Sequence, residues 1–219
     1  MRAKLEPVLK QKLEAQGLVF LNWGDTGWVY LFSKSPVPNV EALKQQRLYT
    51  SAGQDEFVQL YKQNGFNPRP LPFTEIQSGL MTGLLDAVPS TPLATLAFQW
   101  YRNVPQMLDL GVGPLAGATV VDAKVWNRID AGDRTKILTI AKKMQDGLDK
   151  NVPAQDAQAR VEMAKRGLKV TTPDPAAEKG FRDMADKFAA SMKGGVVPAD
   201  IYDQATRERD AYRKSRGTK

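Results

Sequence analysis

Residues 57–88, FVQLYKQNGFNPRPLPFTEIQSGLMTGLLDAV, decide the fold class because helical and extended patterns follow one another within this segment. A helical spacing of apolar side chains ends at Gly65. The next residues, FNPRPLP (66–72), are expected to be extended because proline fixes φ and lacks an N–H. A second helix is predicted from Thr74, and LLDAV (84–88) is typical of a buried strand. This alternation predicts an α/β fold.

The rest of the chain continues the alternation of helices and strands. We therefore expect a mainly parallel sheet, flanked by helices, around residues 28–110. A long helix is predicted to start at Asp133 and to lie across that sheet, with Pro153 kinking or splitting it. GDTG (24–27) is predicted to be a turn between two strands. Strands are expected at 18–22, 28–33, 47–51, 84–88, 107–113, 115–123 and 168–173.

The chain has no cysteine and no histidine. Zinc sites built from these ligands, cysteine nucleophiles and Ser-His-Asp catalysis are therefore excluded. The aspartates between Asp86 and Asp133 do not follow the spacing of a calcium loop. GVGPLAG (111–117) departs from the dinucleotide-binding fingerprint, and a turn between strands is the better interpretation. We expect no metal, no cofactor and no catalytic residue.

The formal net charge is +7. A basic excess can indicate nucleic-acid binding when it is clustered on one face. Here part of it lies in the last residues, Arg207–Lys219, which we expect to be solvated. Basic side chains are not interleaved with aromatic ones in the way that favours single-strand binding. We therefore expect no nucleic-acid partner.

The N-terminal residues, MRAKLEPVLKQKLEAQG (1–17), lack the apolar core of a signal peptide. The chain also lacks a continuous apolar run of about 20 residues, the length that a membrane span needs. Taken alone, the lack of both features would favour a cytoplasmic protein.

Several aromatic residues lie at predicted strand ends and turns: Trp23, Trp28, Tyr30, Tyr49 and Phe73. Aromatic side chains are most often core residues. In an α/β chain, the same positions can equally line a ligand cleft. Pattern alone leaves both interpretations open.

Ordered segments from Gly17 to about residue 190 resemble the solute-binding proteins of TRAP transporters. GLVFLNWGDTGWVYLFSKSPV (17–37) and VEALKQQRLYT (40–50) resemble consecutive segments of that family. The most specific likeness is within residues 57–88. Like the family, this segment has a glycine that ends a helix, several prolines, Pro72-Phe73 followed by Glu75, and Thr82-Gly83 followed by Asp86. WNRIDAGDRTKIL (126–138) resembles the start of its long helix, and GLKVTTPDP (167–175) resembles its late strand.

The resemblance implies a two-lobed fold like that of periplasmic binding proteins, with the ligand between the lobes. It also implies that the chain lacks most of the family's N-terminal lobe. We accordingly expect residues 1–23 and 114–167 to form the remnant of the first lobe with the connecting helix. Residues 24–113 and 168–219 are expected to form the second lobe. Exposed apolar surface is expected along residues 106–121, where the remaining lobe would pack.

The resemblance implies an extracytoplasmic subunit that captures a small organic acid or related solute for membrane subunits of the transporter. Such a protein is not an enzyme, and its full-length form is periplasmic. The alternative function is a small-molecule enzyme on the same scaffold, using a lysine or carboxylate base. A base with a strongly perturbed pKa inside the cleft would distinguish that alternative.

Tyr49 occupies the place of the family's carboxylate-binding arginine, and a second frequent arginine is absent after Gly27. A phenol cannot form the bidentate, charged pair that a guanidinium forms with a carboxylate. A neutral, aromatic or differently held organic acid is therefore the expected ligand. The expected ligand-binding residues are Trp28, Tyr30, Tyr49, Phe73, Ser90 and Thr91.

Overall fold

The structure, a computed structural model, describes residues 2–215. Its strands are β1 (Leu18–Ser33), β2 (Arg47–Ser51), β3 (Asn67–Leu71), β4 (Ala87–Ser90), β5 (Gln106–Asp122) and β6 (Lys169–Thr171). Its helices are α1 (Arg2–Ala15), α2 (Val40–Lys44), α3 (Asp55–Gln63), α4 (Ile76–Thr82), α5 (Pro92–Ala97), α6 (Ala123–Trp126), α7 (Ala131–Lys165), α8 (Pro175–Ser191) and α9 (Ala199–Ser215). Short 3₁₀ helices cover Phe73–Glu75 and Trp100–Arg102.

The six strands form one sheet in the order β3-β2-β4-β1-β5-β6. β2 is parallel to β3 and to β4, and β5 is parallel to β6. β1 is antiparallel to β4, with Tyr30 opposite Ser90 and Ser33 opposite Ala87. The predicted α/β class, with a sheet flanked by helices, is confirmed; the sheet is mixed, because β1 is antiparallel to β4.

Two apolar clusters lie on opposite faces of this sheet. The first core cluster contains Phe32, Val88 and Met107, and the second contains their neighbours Leu31, Ala87 and Leu108. Adjacent strand residues point to opposite faces, so this division shows that β4, the end of β1 and the start of β5 are buried on both sides. α4, α5 and part of α7 contribute to the first cluster; α2 and α8 contribute to the second.

β1 and β5 are each a single long strand where the sequence predicted two shorter ones. The predicted turn at GDTG (24–27) is wrong, because β1 runs through it. The Ala123 amide donates to the Gly17 carbonyl at 2.8 Å, and the Thr26 hydroxyl donates to the Leu115 carbonyl at 2.9 Å. These bonds join β1 and β5 in opposite directions. Long-range pairing therefore overrides the local turn chemistry.

α7 is one helix although Pro153 lies inside it, so a split at this proline is excluded. Proline removes one helical hydrogen bond. Val152 and Asp156 on either side of it are buried, whereas Pro153 is exposed. The packing of these neighbours keeps the helix continuous. The second helix, predicted from Thr74, begins at Ile76, because a 3₁₀ turn over Phe73–Glu75 precedes it.

The chain divides into two compact units. Unit 1 contains the residues up to Asp25, Ala116–Asp149 and those from Met192 onward; unit 2 contains Thr26–Leu115 and Lys150–Ser191. The assignment of these units to lobes stays a prediction.

Polar contacts connect the helices and strands of unit 1. The Trp23 indole donates to Glu6 at 2.7 Å, and the Trp23 amide donates to the Gln145 side chain at 3.1 Å. Lys12 pairs with Asp200 at 2.9 Å, which joins α1 to α9. α9 covers most of the predicted basic tail, and residues 216–219 lie outside the described chain.

The expected exposed apolar surface on residues 106–121 is present only in the second half of that range. Val112, Leu115 and Val120 are exposed. Met107 and Leu108 are buried, because this part of β5 pairs with β6 and contributes to both core clusters. The expectation is therefore confirmed for residues 112–120 and wrong for the start of the strand.

Asp86 joins the beginnings of two strands. Its carboxylate accepts two bonds of 2.6 Å from the Arg47 guanidinium and one of 3.1 Å from the Arg47 amide. Its own amide donates to the Arg47 carbonyl, and its carbonyl accepts from the Lys34 amide, both at 2.9 Å. The hydrogen bond from Arg47 lowers the pKa of the Asp86 carboxyl, against the opposing effect of burial.

We expect Asp86→Asn to lower the free energy of unfolding at pH 7 and to have little effect near pH 3. A carboxyl whose pKa is lowered by folding stabilises the fold above its unfolded pKa, and this stabilisation is lost as the pH falls through the folded value. Urea unfolding at several pH values measures the difference from wild type. Asp146→Asn, at an exposed pair with Lys142, is the control and should change stability little. An Asp86→Asn deficit that is equally large at pH 3 would contradict this account.

Candidate functional site

One edge of the unit 2 sheet collects the predicted ligand-binding residues. The parallel strands β2, β3 and β4 end there at Ser51, Leu71 and Ser90. β1 runs in the opposite direction, so Trp28 and Tyr30 pass the same edge. In open α/β sheets, ligands bind at the carboxyl ends of the strands. We refer to this region, between Trp28 on β1 and Phe73 after β3, as the strand-end edge.

Trp28 is a half-exposed aromatic ring held against β5. Its side chain is 51% exposed. A Cβ added to Gly111 would lie 2.8 Å from the Trp28 ring, closer than carbon atoms normally approach. Glycine at position 111 therefore allows the ring to lie on the β5 backbone, with the rest of the indole open to solvent.

Tyr30 and Tyr49 both pack against the first core cluster, so they share one face of the sheet. Each is partly buried. The Tyr49 hydroxyl lies 3.4 Å from that of Ser51. The two phenols thus combine a core-facing ring with a polar group, as tyrosine does at many binding surfaces.

A guanidinium that the sequence pattern did not indicate lies next to Tyr30. The Arg160 guanidinium is 5.2 Å from the Tyr30 ring centroid and donates to the Asp109 carboxylate at 2.7 Å. Arg160 belongs to α7, far from Tyr30 in sequence, so local spacing could not reveal it. Its charge is balanced by Asp109, which distinguishes it from a free carboxylate-binding arginine.

Phe73 belongs to a cluster of three aromatic rings. Its centroid lies 5.2 Å from that of Phe98 and 5.5 Å from that of Trp100. Phe98 stacks on Trp100 at 5.1 Å, and Gln99 between them has φ of 57°. Trp100 is buried, whereas Phe73 and Phe98 are about half exposed. Phe73 and Phe98 are therefore open to solvent on one side and pack against the buried indole of Trp100 on the other.

Ser90 and Thr91 are inside the protein. They are 7% and 4% exposed. The Ser90 hydroxyl donates to the Thr91 carbonyl at 3.3 Å, and the Thr91 hydroxyl accepts from the Ala94 amide at 3.3 Å, which caps α5. In this structure both hydroxyls are therefore engaged in local hydrogen bonds. Their role as ligand contacts stays a prediction.

The six predicted residues lie in or just after strands of one sheet, near the edge where β2, β3 and β4 end. Sequence patterns did not indicate Phe98, Trp100 or Arg160. Phe98 and Trp100 meet Phe73, and Arg160 meets Tyr30, only in the folded chain. Two shallow surface grooves lie elsewhere, one along α7 near Leu138 and one between the N-terminal ends of α2 and α8. The predicted ligand-binding residues do not line either groove.

Five carboxyl groups of the described chain have a pKa that an ion-pair partner lowers. Hydrogen bonds from cationic side chains lower the pKa of Glu6, Asp86, Asp149, Glu162 and Asp200. A lowered pKa keeps these groups ionised near neutral pH. Residues 2–215 hold no group of three or more acidic side chains arranged for a metal ion. None of the helices in this range is long and apolar enough to cross a membrane.

Comparison with known sequences assigns the chain to a family. Residues 2–193 match the profile of DctP, the bacterial extracellular solute-binding protein family 7. The chain belongs to this family. Within 80 residues it is 35% identical to the 2,3-diketo-L-gulonate-binding periplasmic protein YiaO of Escherichia coli K12. That alignment covers 36% of this chain and 24% of YiaO.

Solved structures of TRAP solute-binding proteins have the same fold. DctP7 of Bordetella pertussis, which binds pyroglutamic acid, matches with a TM-score of 0.84 and 18% identity over 95% of this chain and 68% of its own. The ectoine-binding protein of Halomonas elongata matches with a TM-score of 0.82 and 18% identity over 95% of this chain and 69% of its own. This family member thus spans about two thirds of those chains.

We expect Gly111→Ala to displace the Trp28 ring, because the added methyl group would overlap it. The free energy of unfolding should fall by about 1–2 kcal/mol, as for other overpacked sites. Tryptophan fluorescence should shift as the Trp28 environment changes. Gly113→Ala is the matched control, since a Cβ there meets no atom of the described chain within 4 Å. Equal spectra and stabilities for the two variants would refute the proposed Trp28–Gly111 contact.

Proposed function

We propose that this protein is the extracytoplasmic solute-binding subunit of a TRAP-type transporter and captures a small organic acid or related solute. The family match over residues 2–193 carries this proposal. The strand-end edge supports it, because half-exposed aromatic rings lie where ligands bind in open α/β sheets.

The side chains of the strand-end edge favour a ligand with a flat or apolar face. Trp28, Phe73 and Phe98 each expose about half of an aromatic side chain. Tyr30 and Tyr49 add phenol groups that form neutral hydrogen bonds. Arg160 is the cation beside Tyr30, and its pairing with Asp109 weakens its attraction for a free carboxylate. We therefore favour a neutral or aromatic solute, or an organic acid whose carboxylate does not dominate binding.

The family assignment implies partners and a location for the working protein. In TRAP transport, a binding protein delivers its solute to membrane subunits. We therefore propose membrane subunits as partners and the periplasm as the compartment. Nucleic acid is not among the proposed partners.

The alternative function, an enzyme with a lysine or carboxylate base, gains no support from the site. Its distinguishing feature would be a base with a perturbed pKa among the strand-end residues. Glu6, Asp86, Asp149, Glu162 and Asp200, whose pKa values are lowered, are ionised partners of lysine or arginine and are not strand-end residues. Solute capture without chemistry is therefore the function we propose.

We expect Tyr49→Ala to weaken solute binding by about 1–3 kcal/mol, the range typical of an aromatic anchor. Tyr49→Phe keeps the ring that packs on the first core cluster and removes only the hydroxyl, so it should retain most of the affinity. Calorimetry would use pyroglutamate, ectoine, D-galacturonate, L-gulonate, succinate and malate as test ligands.

Thermal unfolding of both variants separates a loss of affinity from a loss of folded protein. The proposed ligand preference would be wrong if succinate or malate bound tightly and Tyr49→Ala left that binding unchanged. Failure of folded protein to bind any solute of the panel would count against the proposed function itself.

A further inference from the structure

The buried carboxylate of Asp156 contacts two segments that carry predicted ligand-binding residues. Asp156 lies on α7 and is 9% exposed. Its Oδ1 accepts from the Leu93 amide at 3.0 Å, just after Thr91. Its Oδ2 lies only 2.0 Å from the position that a Cβ on Gly27 would take, immediately before Trp28. One carboxyl group thus lies against the backbones of β1 and α5.

The contact with α5 completes the hydrogen bonding of that helix's first turn. Pro92 has no N–H, and the Thr91 hydroxyl accepts from the Ala94 amide. The Thr95 amide donates to the Thr91 carbonyl at 3.0 Å. The Leu93 amide is the remaining donor of this turn, and Asp156 accepts from it. The cap of α5 is therefore shared between a local threonine and a carboxylate from α7.

The contact with β1 depends on the absence of a side chain at residue 27. Gly27 has φ of 99°, a conformation that L-residues with side chains rarely adopt. The same position faces the Asp156 carboxylate too closely for a methyl group. Glycine at position 27 is therefore needed for two reasons: it adopts the positive φ, and it leaves room for the Asp156 carboxylate.

A buried carboxylate costs free energy unless hydrogen bonds compensate it. An apolar residue at position 156 would suit packing alone and avoid that cost. The carboxylate instead fixes the distance between the backbone before Trp28 and the turn that contains Ser90 and Thr91. These two segments form the β1 and β4 sides of the strand-end edge.

We propose that Asp156 is a positioning residue of the solute site, which holds the Trp28 segment of β1 and the first turn of α5 in their binding arrangement. This inference rests on the proposed function. Asp156 acts through its neighbours, and its own atoms are buried behind the residues that meet the ligand.

The first test measures affinity in the 219-residue chain with the ligand of the calorimetric panel that binds wild type best. Asp156→Ala should weaken binding about three- to tenfold, the size of one or two lost hydrogen bonds. Asp156→Asn keeps an oxygen for the Leu93 amide and should recover part of the affinity. Asp146→Ala, an exposed acid on the same helix, is the control and should bind as wild type.

The second test does not require a ligand. In protein labelled with 5-fluorotryptophan, fluorine NMR gives a signal for Trp28, assigned with Trp28→Phe. Asp156→Ala should move or broaden this signal and leave that of Trp126 in unit 1 unchanged. Gly27→Ala, which forces the carboxylate away, should have the same effect. Gly53→Ala should not, since it shares the positive φ but meets no atom of the described chain within 4 Å.

The outcomes separate the two proposals. If Asp156→Ala lowers the melting temperature but leaves affinity and the Trp28 signal unchanged, Asp156 is only structural and the inference is wrong. If folded wild type binds no panel ligand, the proposed function fails. In that case the fluorine signal of Trp28 in Asp156→Ala is the remaining test of the positioning role. A shifted signal supports this role, and an unchanged signal overturns it.

Discussion

The bonds between Asp86 and Arg47 align the strands on which the candidate site depends. They join the start of β2 to the residue before β4, and the Asp86 carbonyl also accepts from Lys34 just after β1. Three strands are thereby fixed at the edge opposite the strand-end edge. Because β2 and β4 are parallel and short, their other ends must also lie side by side. The parallel pairing of Leu48 with Ala87 follows from this constraint and brings the ends of β2 and β4 to the same edge.

Burial of β4 and the end of β1 on both faces explains which side chains stay accessible to a solute at the strand-end edge. Leu31 and Phe32, or Ala87 and Val88, direct neighbouring side chains into different core clusters. The faces of these buried strand segments are covered, so solutes can meet them mainly at their ends. There the structure exposes about half of Trp28, Phe73 and Phe98, and the partly buried Tyr30 and Tyr49 add phenol groups. Such side chains bind by stacking and neutral hydrogen bonds more than by charge.

The sequence predicted those features that depend on local pattern. Helical spacing and proline content predicted α3 and β3. The resemblance to TRAP solute-binding proteins identified the family. Features that depend on distant partners were missed. GDTG (24–27) is a turn by composition, but pairing with β5 makes it part of a strand.

The same limit applies to the site. Tyr30 and Tyr49 were predicted from their positions near strand ends, and strand alternation then places them on one face. Arg160 and Asp156 reach β1 from α7, and spacing along the chain carries no sign of that approach. Ser90 and Thr91 were predicted to bind the ligand; the fold buries both, and Thr91 caps α5.

Hydrogen–deuterium exchange with and without bound solute tests the central claim most directly, because it locates the binding surface without a mutation. At saturating concentrations of a panel solute, the account predicts slower exchange at residues 26–30, 49–53, 71–75 and 90–99. Exchange in the groove between α2 and α8 should not change. Protection confined to that groove, or to α7 near Leu138, would place the solute elsewhere and contradict the account.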